Sequence, residues 1–164
     1  QQFLPRACQN GKDIEARAQM LAAASMGATA FQKGLGGVHA IAHPVGSWFN
    51  THHGLTNAII LPYVMTYNRR FIDEKSQIIA RALNLPAHSY DGFLSWVLKL
   101  RSDLGIPHSL AAIGVSIDKA GIIGSEAAVD PSAGGNPVPV NAAQLEHIFR
   151  AAVEGNIESV IGAK

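Results

Sequence analysis

The chain has few of the features expected of secreted or nucleic-acid-binding proteins. Its 164 residues include one cysteine, Cys8, so an internal disulfide is excluded and a reducing cytoplasm is the compartment it suits. The 13 Lys and Arg residues nearly balance the 12 Asp and Glu residues, and the formal net charge is +1. Because the sequence has no basic stripe, we do not expect nucleic acid as a partner.

Long apolar runs are missing as well. The longest candidate, residues 58–65, is interrupted by Pro62 and is far too short to span a bilayer. The N-terminus has no basic segment followed by an apolar one, which argues against a signal peptide. We therefore expect a cytoplasmic protein without a membrane partner.

The chain also lacks an initiator Met and is poor in charge. Charged residues make up 15% of it and apolar residues 48%. A domain that docks against another domain keeps apolar surface that a free-standing domain would avoid. The composition and the start at Gln1 together favour a piece of a larger protein, and the length predicts a single domain over residues 1–164.

What the sequence has is helical periodicity. In residues 13–33 the apolar side chains recur at intervals of three and four, which lines up one apolar stripe on a helix. Similar patterns predict a helix from Val38 that Pro44 and Gly46 end or bend, and helices over residues 53–68 (kinked near Pro62), 74–84, 91–104, 118–129 and 141–154, with a loop over residues 130–140. No alternating strand pattern is present. The predicted fold class is all-α, a helical bundle of about six to eight helices.

Four of the seven histidines lie between residues 39 and 53. His39 and His43 are four residues apart, so on a helix their imidazoles share one face. His53 opens the next predicted helix, and a tight helix–loop–helix would return it toward His39. Imidazole is a common ligand of zinc and iron. Such a pair is also common as surface decoration, and no carboxylate stands nearby in sequence, so from the residues alone the site is incomplete.

The residues around these histidines resemble a known family. Residues 36–46 (GGVHAIAHPVG), 51–58 (THHGLTNA) and 61–62 (LP) are similar to the second signature of the iron-containing alcohol dehydrogenases. Asn68 and the pair Asn136-Pro137 also fit this family, and the resemblance extends from about residue 10 to residue 155. It implies that the chain is the C-terminal helical domain of a two-domain dehydrogenase.

The resemblance implies roles for individual histidines. In the family an Asp and three His hold the metal, and the third and fourth ligand positions are occupied here by His39 and His53. His43 falls on a position that is generally not a ligand but lies near the nicotinamide and the substrate oxygen, which implies a catalytic and cofactor-binding role as a proton relay. The alternative for His43 is a helix-capping or packing residue ahead of Pro44. His52 stands where many relatives have Pro, and we interpret it as a solvent-side neighbour or a spare ligand.

The function implied is interconversion of small alcohols with aldehydes or ketones by metal-assisted hydride transfer. The cofactors would be Fe²⁺ or Zn²⁺, and NAD or NADP bound mainly by an N-terminal domain absent from this chain. An Asp-x-x-x-His pair and a phosphate-binding glycine motif are both missing from the sequence, so we expect the chain alone to be inactive. Its expected partners are that domain and the substrate, and a homodimer is compatible with the resemblance. The alternatives are a related reductase or transhydrogenase, or a non-catalytic helical interaction domain.

Overall fold

A computed structural model describes residues 1–161. Across these residues the chain forms seven α-helices and no strand, which confirms the predicted all-α class. The helices are α1 (Phe3–Gln9), α2 (Ile14–Ala30), α3 (Gly37–Phe49), α4 (His53–Ala82), α5 (Tyr90–Asp103), α6 (Ala120–Val129) and α7 (Ala142–Glu154). None of them, within the part described, is long and apolar enough to cross a membrane. The chain divides into two compact units, Gln1–Gly34 and Leu35–Lys164.

The first unit contains α1 and α2. The Asp13 side chain caps α2 by accepting a hydrogen bond from the Ala16 N–H at 3.0 Å; of the two caps that the sequence allows, Asn10 and Asp13, the structure uses Asp13. Helix α1 was not predicted, because its seven residues are too few to show a period. The apolar stripe of α2 is exposed, with Leu21 72% and Met26 73% accessible, and Ala16 is its buried residue. The periodicity therefore predicted the helix without identifying a face that packs within this unit.

The core of the second unit lies between α3, α4, α6 and α7. Each helix contributes fully or nearly fully buried apolar side chains, among them Ile41, Tyr63, Ile123 and Phe149. Burial of large apolar side chains is the main favourable contribution to folding and explains why these helices assemble. Helix α7 begins as predicted, with a capping box formed by Asn141 and Gln144.

The predicted break between residues 68 and 74 is wrong, and Pro44 and Gly46 do not end α3, which was one of the two outcomes predicted for them. Helices predicted over residues 53–68 and 74–84 are one continuous 30-residue helix, α4, because no residue between Asn68 and Glu74 breaks a helix. Helix α3 runs through Pro44 and Gly46 to Phe49, although a proline inside a helix costs about 3 kcal/mol. Pro44 and Val45 are buried in the core, and their packing offsets that cost.

Helix α3 ends at Asn50, which adopts the left-handed conformation at φ 51°. Asparagine tolerates this conformation better than most residues. Only Asn50, Thr51 and His52 then separate α3 from α4. This tight connection carries the first turn of α4 back toward α3.

The stretch predicted as loop, residues 130–140, contains a short 3-10 helix at Pro131–Gly135. Asp130 begins it by accepting a hydrogen bond from the Ser132 N–H at 2.7 Å. The predicted helix over residues 118–129 is a 3-10 turn at Ile117–Lys119 followed by α6. Asp130 therefore stands at the junction of α6 and the 3-10 helix, which places it near α3.

Candidate metal centre

Helix α3 carries His39 and His43 on one side. Their ring centroids are 5.9 Å apart in an edge-on arrangement, as a spacing of four residues predicts. Ala40, Ile41 and Ala42, which lie between them in sequence, are completely buried. Packing of these three residues into the core fixes the rotation of α3 and turns both imidazoles away from it.

The first residue of α4, His53, completes a triangle of rings. Its centroid lies 5.4 Å from that of His39 and 5.4 Å from that of His43. The His43 and His53 rings are nearly parallel, with an angle of 13° between their planes. The structure thus brings together the three histidines, His39, His43 and His53, for which the resemblance implies a role in the site.

Asn57 links two of these rings. Its side-chain Nδ2 lies 3.3 Å from Nε2 of His39 and 3.0 Å from Nε2 of His53. An amide nitrogen only donates, so both ring nitrogens must present lone pairs to it. The Asn57 Oδ1 atom is buried without a hydrogen-bond partner in the described part of the chain. The sequence analysis gave Asn57 no role, although its place one helical turn after His53 was a signal.

The two Nε2 atoms suit a shared cation. A histidine nitrogen binds zinc at about 2.0–2.1 Å, so two imidazoles on one tetrahedral ion hold their ring centroids roughly 5 Å apart. The observed separation of His39 and His53 is 5.4 Å. Among residues 1–161, no three His, Cys, Asp or Glu side chains form a group that could hold a metal ion by themselves.

His43 is held differently from its neighbours. Its Nδ1 lies 2.8 Å from Oδ2 of Asp130, and the two side chains are 42% and 15% exposed. Burial raises the pKa of Asp130, but the hydrogen bonds from His43 and from Ser132 outweigh it, and the pKa is lowered from 3.8. Sequence analysis missed Asp130, because 87 residues separate it from His43 and no local motif connects them.

The surroundings of His39 disfavour protonation of its imidazole. Burial lowers its pKa from 6.5, and the neighbouring His53 and His43 rings lower it further, while Asp130 opposes the shift. A lowered pKa keeps the ring neutral near pH 7. The neutral form is the one that binds a metal.

His52 is exposed and serves as the N-cap of α4. Its Nδ1 accepts a hydrogen bond from the Leu55 N–H at 3.3 Å. This contact uses one ring nitrogen for the helix end. The solvent-side position expected for His52 is observed.

A second polar network holds the start of α3, two residues before His39. Oδ1 of Asn136 accepts from the Gly37 N–H at 3.2 Å and from Nδ2 of Asn68 at 2.9 Å. A Cβ added at Gly37 would lie 3.2 Å from Asn136 Oδ1, and one added at Gly135 would lie 1.9 Å from the Leu35 carbonyl oxygen. Glycine is therefore required where the 3-10 segment crosses the N-terminus of α3.

Comparison with known proteins agrees with this architecture. Residues 1–153 match the family described as "Fe-containing alcohol dehydrogenase family, C-terminal". Lactaldehyde reductase of Escherichia coli K12 is 35% identical over 125 residues, which cover 73% of this chain and 33% of that protein. The 4-hydroxybutyrate dehydrogenase of Cupriavidus necator is 33% identical over 157 residues, or 89% of this chain and 40% of that protein.

The fold agrees as well. The solved structure of a 1,3-propanediol oxidoreductase superposes with a TM-score of 0.87 at 30% identity, covering 92% of this chain and 41% of that one. The chain thus spans about a third to two-fifths of the length of these relatives. With a family match over most of the sequence, a common helical fold and the three-histidine arrangement, the chain belongs to the C-terminal region of the iron-containing alcohol dehydrogenase family.

Proposed function

We propose that His39 and His53 are two ligands of a divalent metal, Fe²⁺ or Zn²⁺, in an NAD(P)-dependent alcohol dehydrogenase. The observation that carries this proposal is the convergence of the two Nε2 atoms on one point, marked by Asn57 Nδ2. The neutral state favoured for His39 supports it, since a protonated imidazole cannot bind a cation. The remaining ligands, an Asp and a His by resemblance to the family, would come from residues outside this chain.

The reaction proposed is the interconversion of a small alcohol with its aldehyde or ketone. A divalent ion in this position would act as a Lewis acid on the alcohol or carbonyl oxygen. His39 and His53 hold that position fixed, because α3 and the first two turns of α4 are anchored in the core by Ile41 and Ile59. Rigid support of this kind keeps reacting groups in their productive geometry.

His43 lies beside the two proposed ligands, and its Nδ1 is hydrogen-bonded to Asp130. We assign it to the nicotinamide and the substrate oxygen, where its free nitrogen relays a proton. Its 42% exposure leaves it open to a bound molecule, whereas a packing residue ahead of Pro44 would be covered. This exposure favours the catalytic assignment over the packing alternative.

The nicotinamide cofactor, NAD or NADP, would be held mainly by an N-terminal domain that the relatives' greater length accommodates. The chain by itself is then expected to be inactive. A cytoplasmic location is part of the proposal, and the presence of a single cysteine supports it.

Metal content measured by elemental analysis tests the ligand assignment. In the complete protein, His39→Ala and His53→Ala should each lower bound metal at least tenfold and remove alcohol oxidation with it. His88→Ala is the matched control, because His88 is an exposed histidine in the turn before α5. Stoichiometric metal in either ligand variant would contradict the assignment.

Activity of the isolated chain is a second test. With NAD or NADP and short alcohols, the 164-residue chain should give no turnover above a blank, whereas the complete protein should give a rate that chelators abolish. A complete protein that oxidises no alcohol and whose stability is unchanged by removal of metal would contradict the dehydrogenase proposal and favour a helical interaction domain.

A further inference from the structure

The carboxylate of Asp130 is fixed from two sides. Its Oδ1 accepts a hydrogen bond from the Ser132 N–H at 2.7 Å, which closes the first turn of the 3-10 helix. Its Oδ2 lies 2.8 Å from Nδ1 of His43. With 15% of its surface exposed, this side chain has little freedom to leave the position. Asp130 is thus fixed by the 3-10 helix and in turn fixes the imidazole of His43.

This contact selects one form of the neutral His43 ring. An ionised carboxylate has only acceptors, so the hydrogen between the two side chains must reside on Nδ1. A neutral imidazole carries one hydrogen, so Nε2 then bears a lone pair. A histidine tautomer and ring orientation fixed by a buried carboxylate is a recurring arrangement in enzymes that use the other ring nitrogen as a base.

We infer that Asp130 is a positioning residue that fixes His43 with its hydrogen on Nδ1 and presents Nε2 to the substrate and cofactor. The part concerning substrate depends on the proposed function, whereas the tautomer does not. When a substrate hydroxyl gives its proton to Nε2, the O–H electron pair stays on oxygen. The ring becomes an imidazolium that keeps its Nδ1–H bond to the Asp130 carboxylate.

The neighbouring rings cannot supply the same restraint. His39 and His53 approach Asn57 through their Nε2 atoms, and their contacts with His43 are ring to ring. A stacked or edge-on ring contact limits tilt but does not choose between the two tautomers. Asp130 is the group whose contact decides which nitrogen of His43 carries the hydrogen.

The first experiment is ¹⁵N NMR of the His43 ring in the complete, zinc-loaded protein. Asp130→Asn is the informative variant, because an asparagine oxygen can still accept the Ser132 N–H and keep the 3-10 turn. We expect the wild-type His43 to be in the Nδ1–H form. In the variant Oδ1 stays with Ser132, so Nδ2 faces Nδ1 of His43, and because an amide nitrogen only donates, the ring should shift to the Nε2–H form. Asp118→Asn, which removes an exposed carboxylate bonded to Ser116, should leave the spectrum unchanged.

The kinetic readout distinguishes positioning from support of the fold. Asp130→Asn should lower kcat about 10- to 100-fold, the usual loss for a residue that orients a site histidine, with metal content and KM changed less than threefold. Asp130→Glu, whose carboxylate can still accept from Nδ1, should recover part of kcat. Thermal unfolding of each variant establishes that it is folded.

The outcomes separate this inference from the proposed function. An unchanged His43 tautomer in folded Asp130→Asn would overturn the positioning role, and a changed tautomer with wild-type kcat would overturn the presentation of Nε2 to substrate. Metal retained in His39→Ala or His53→Ala would instead defeat the ligand proposal while leaving the tautomer result intact.

Discussion

Asn68 and Asn136 bind each other through both ends of their amides, although 68 residues separate them in sequence. Nδ2 of Asn68 donates to Oδ1 of Asn136 at 2.9 Å, and Nδ2 of Asn136 donates to Oδ1 of Asn68 at 2.8 Å. Asn136 also bonds to the Gly37 N–H and to the Val138 carbonyl oxygen. This satisfied pair joins the middle of α4 to the start of α3, the helix that carries His39 and His43.

We predict that Asn68→Ala and Asn136→Ala each destabilise the protein by about 1–3 kcal/mol. Each change leaves a partly or fully buried amide of the partner without its hydrogen bonds, which costs that much. The double variant should be less destabilised than the sum of the two, by roughly 0.5–3 kcal/mol, because the partner is already absent. Urea unfolding of the four proteins measures this coupling, and strict additivity would show that the amides act independently.

At Gly124, helices α6 and α7 lie too close together to leave room for a side chain. A Cβ there would lie 2.6 Å from the Ala142 carbonyl oxygen and 2.7 Å from Cβ of Glu146, both on α7. Gly124→Ala should therefore destabilise the protein by about 1–3 kcal/mol, as overpacking does. Gly121→Ala, on the same helix, is the control.

A Cβ at Gly121 would meet only the Glu146 Oε2 atom, at 3.9 Å. Alanine is a better helix former than glycine by up to about 1 kcal/mol, so this variant should be neutral or stabilised. Chemical denaturation of both variants checks the pair. Equal effects at the two positions would mean that α6 and α7 are not as closely packed as described.

His52 should be dispensable for metal binding. Its Nδ1 accepts from the Leu55 N–H, so its contribution is to the N-terminus of α4. His52→Ala should cost about 0.5–2 kcal/mol, the usual loss of an N-cap, and His52→Asn should retain most of that stability. Neither variant should change the metal content of the complete protein. Metal lost from His52→Asn would identify the ring as a ligand after all.

We predict that titration of Asp13 changes the stability of the first unit alone, Gln1–Gly34. The Ala16 N–H and then the Arg6 side chain lower the pKa of Asp13 from 3.8, against the opposing effect of burial. A group whose pKa is depressed by folding contributes its stabilisation fully above pH 3.8, and loses it as the pH falls through the lower folded value. The amides of the first turn of α2 should therefore exchange faster as the pH falls below about 3.8.

Asp13→Asn keeps an acceptor for Ala16 but has no charge to titrate. In this variant the protection of the first-turn amides of α2 against hydrogen exchange should be nearly independent of pH between about 2 and 5. In the wild type this protection should fall with the pH, once both proteins are corrected for intrinsic exchange rates. Hydrogen exchange followed by NMR measures this difference. Parallel pH profiles for the two proteins would contradict the assignment of the shift to Asp13.

Local sequence was sufficient where local interactions decide the outcome. Asn141 and the apolar residues of α7 predict a capped helix, and α7 begins and ends where they indicate. Asn68 shows the opposite case. In sequence it resembles a helix end, whereas in the fold its amide is satisfied by Asn136 and α4 continues for 14 further residues, to Ala82.

The sequence by itself determined the helical class and the common face of His39 and His43, because helix periodicity and a four-residue spacing act over a single turn. The family was indicated by the resemblance of residues 36–62 to a known signature. Only the tertiary structure decided that Asn57 lies between two histidines and that Asp130 binds the third. Hydrogen bonds over such separations depend on how the helices pack, and the packing is set by the summed burial of many side chains. A motif of neighbouring residues therefore could not predict the contacts of Asn57 and Asp130 with the histidines.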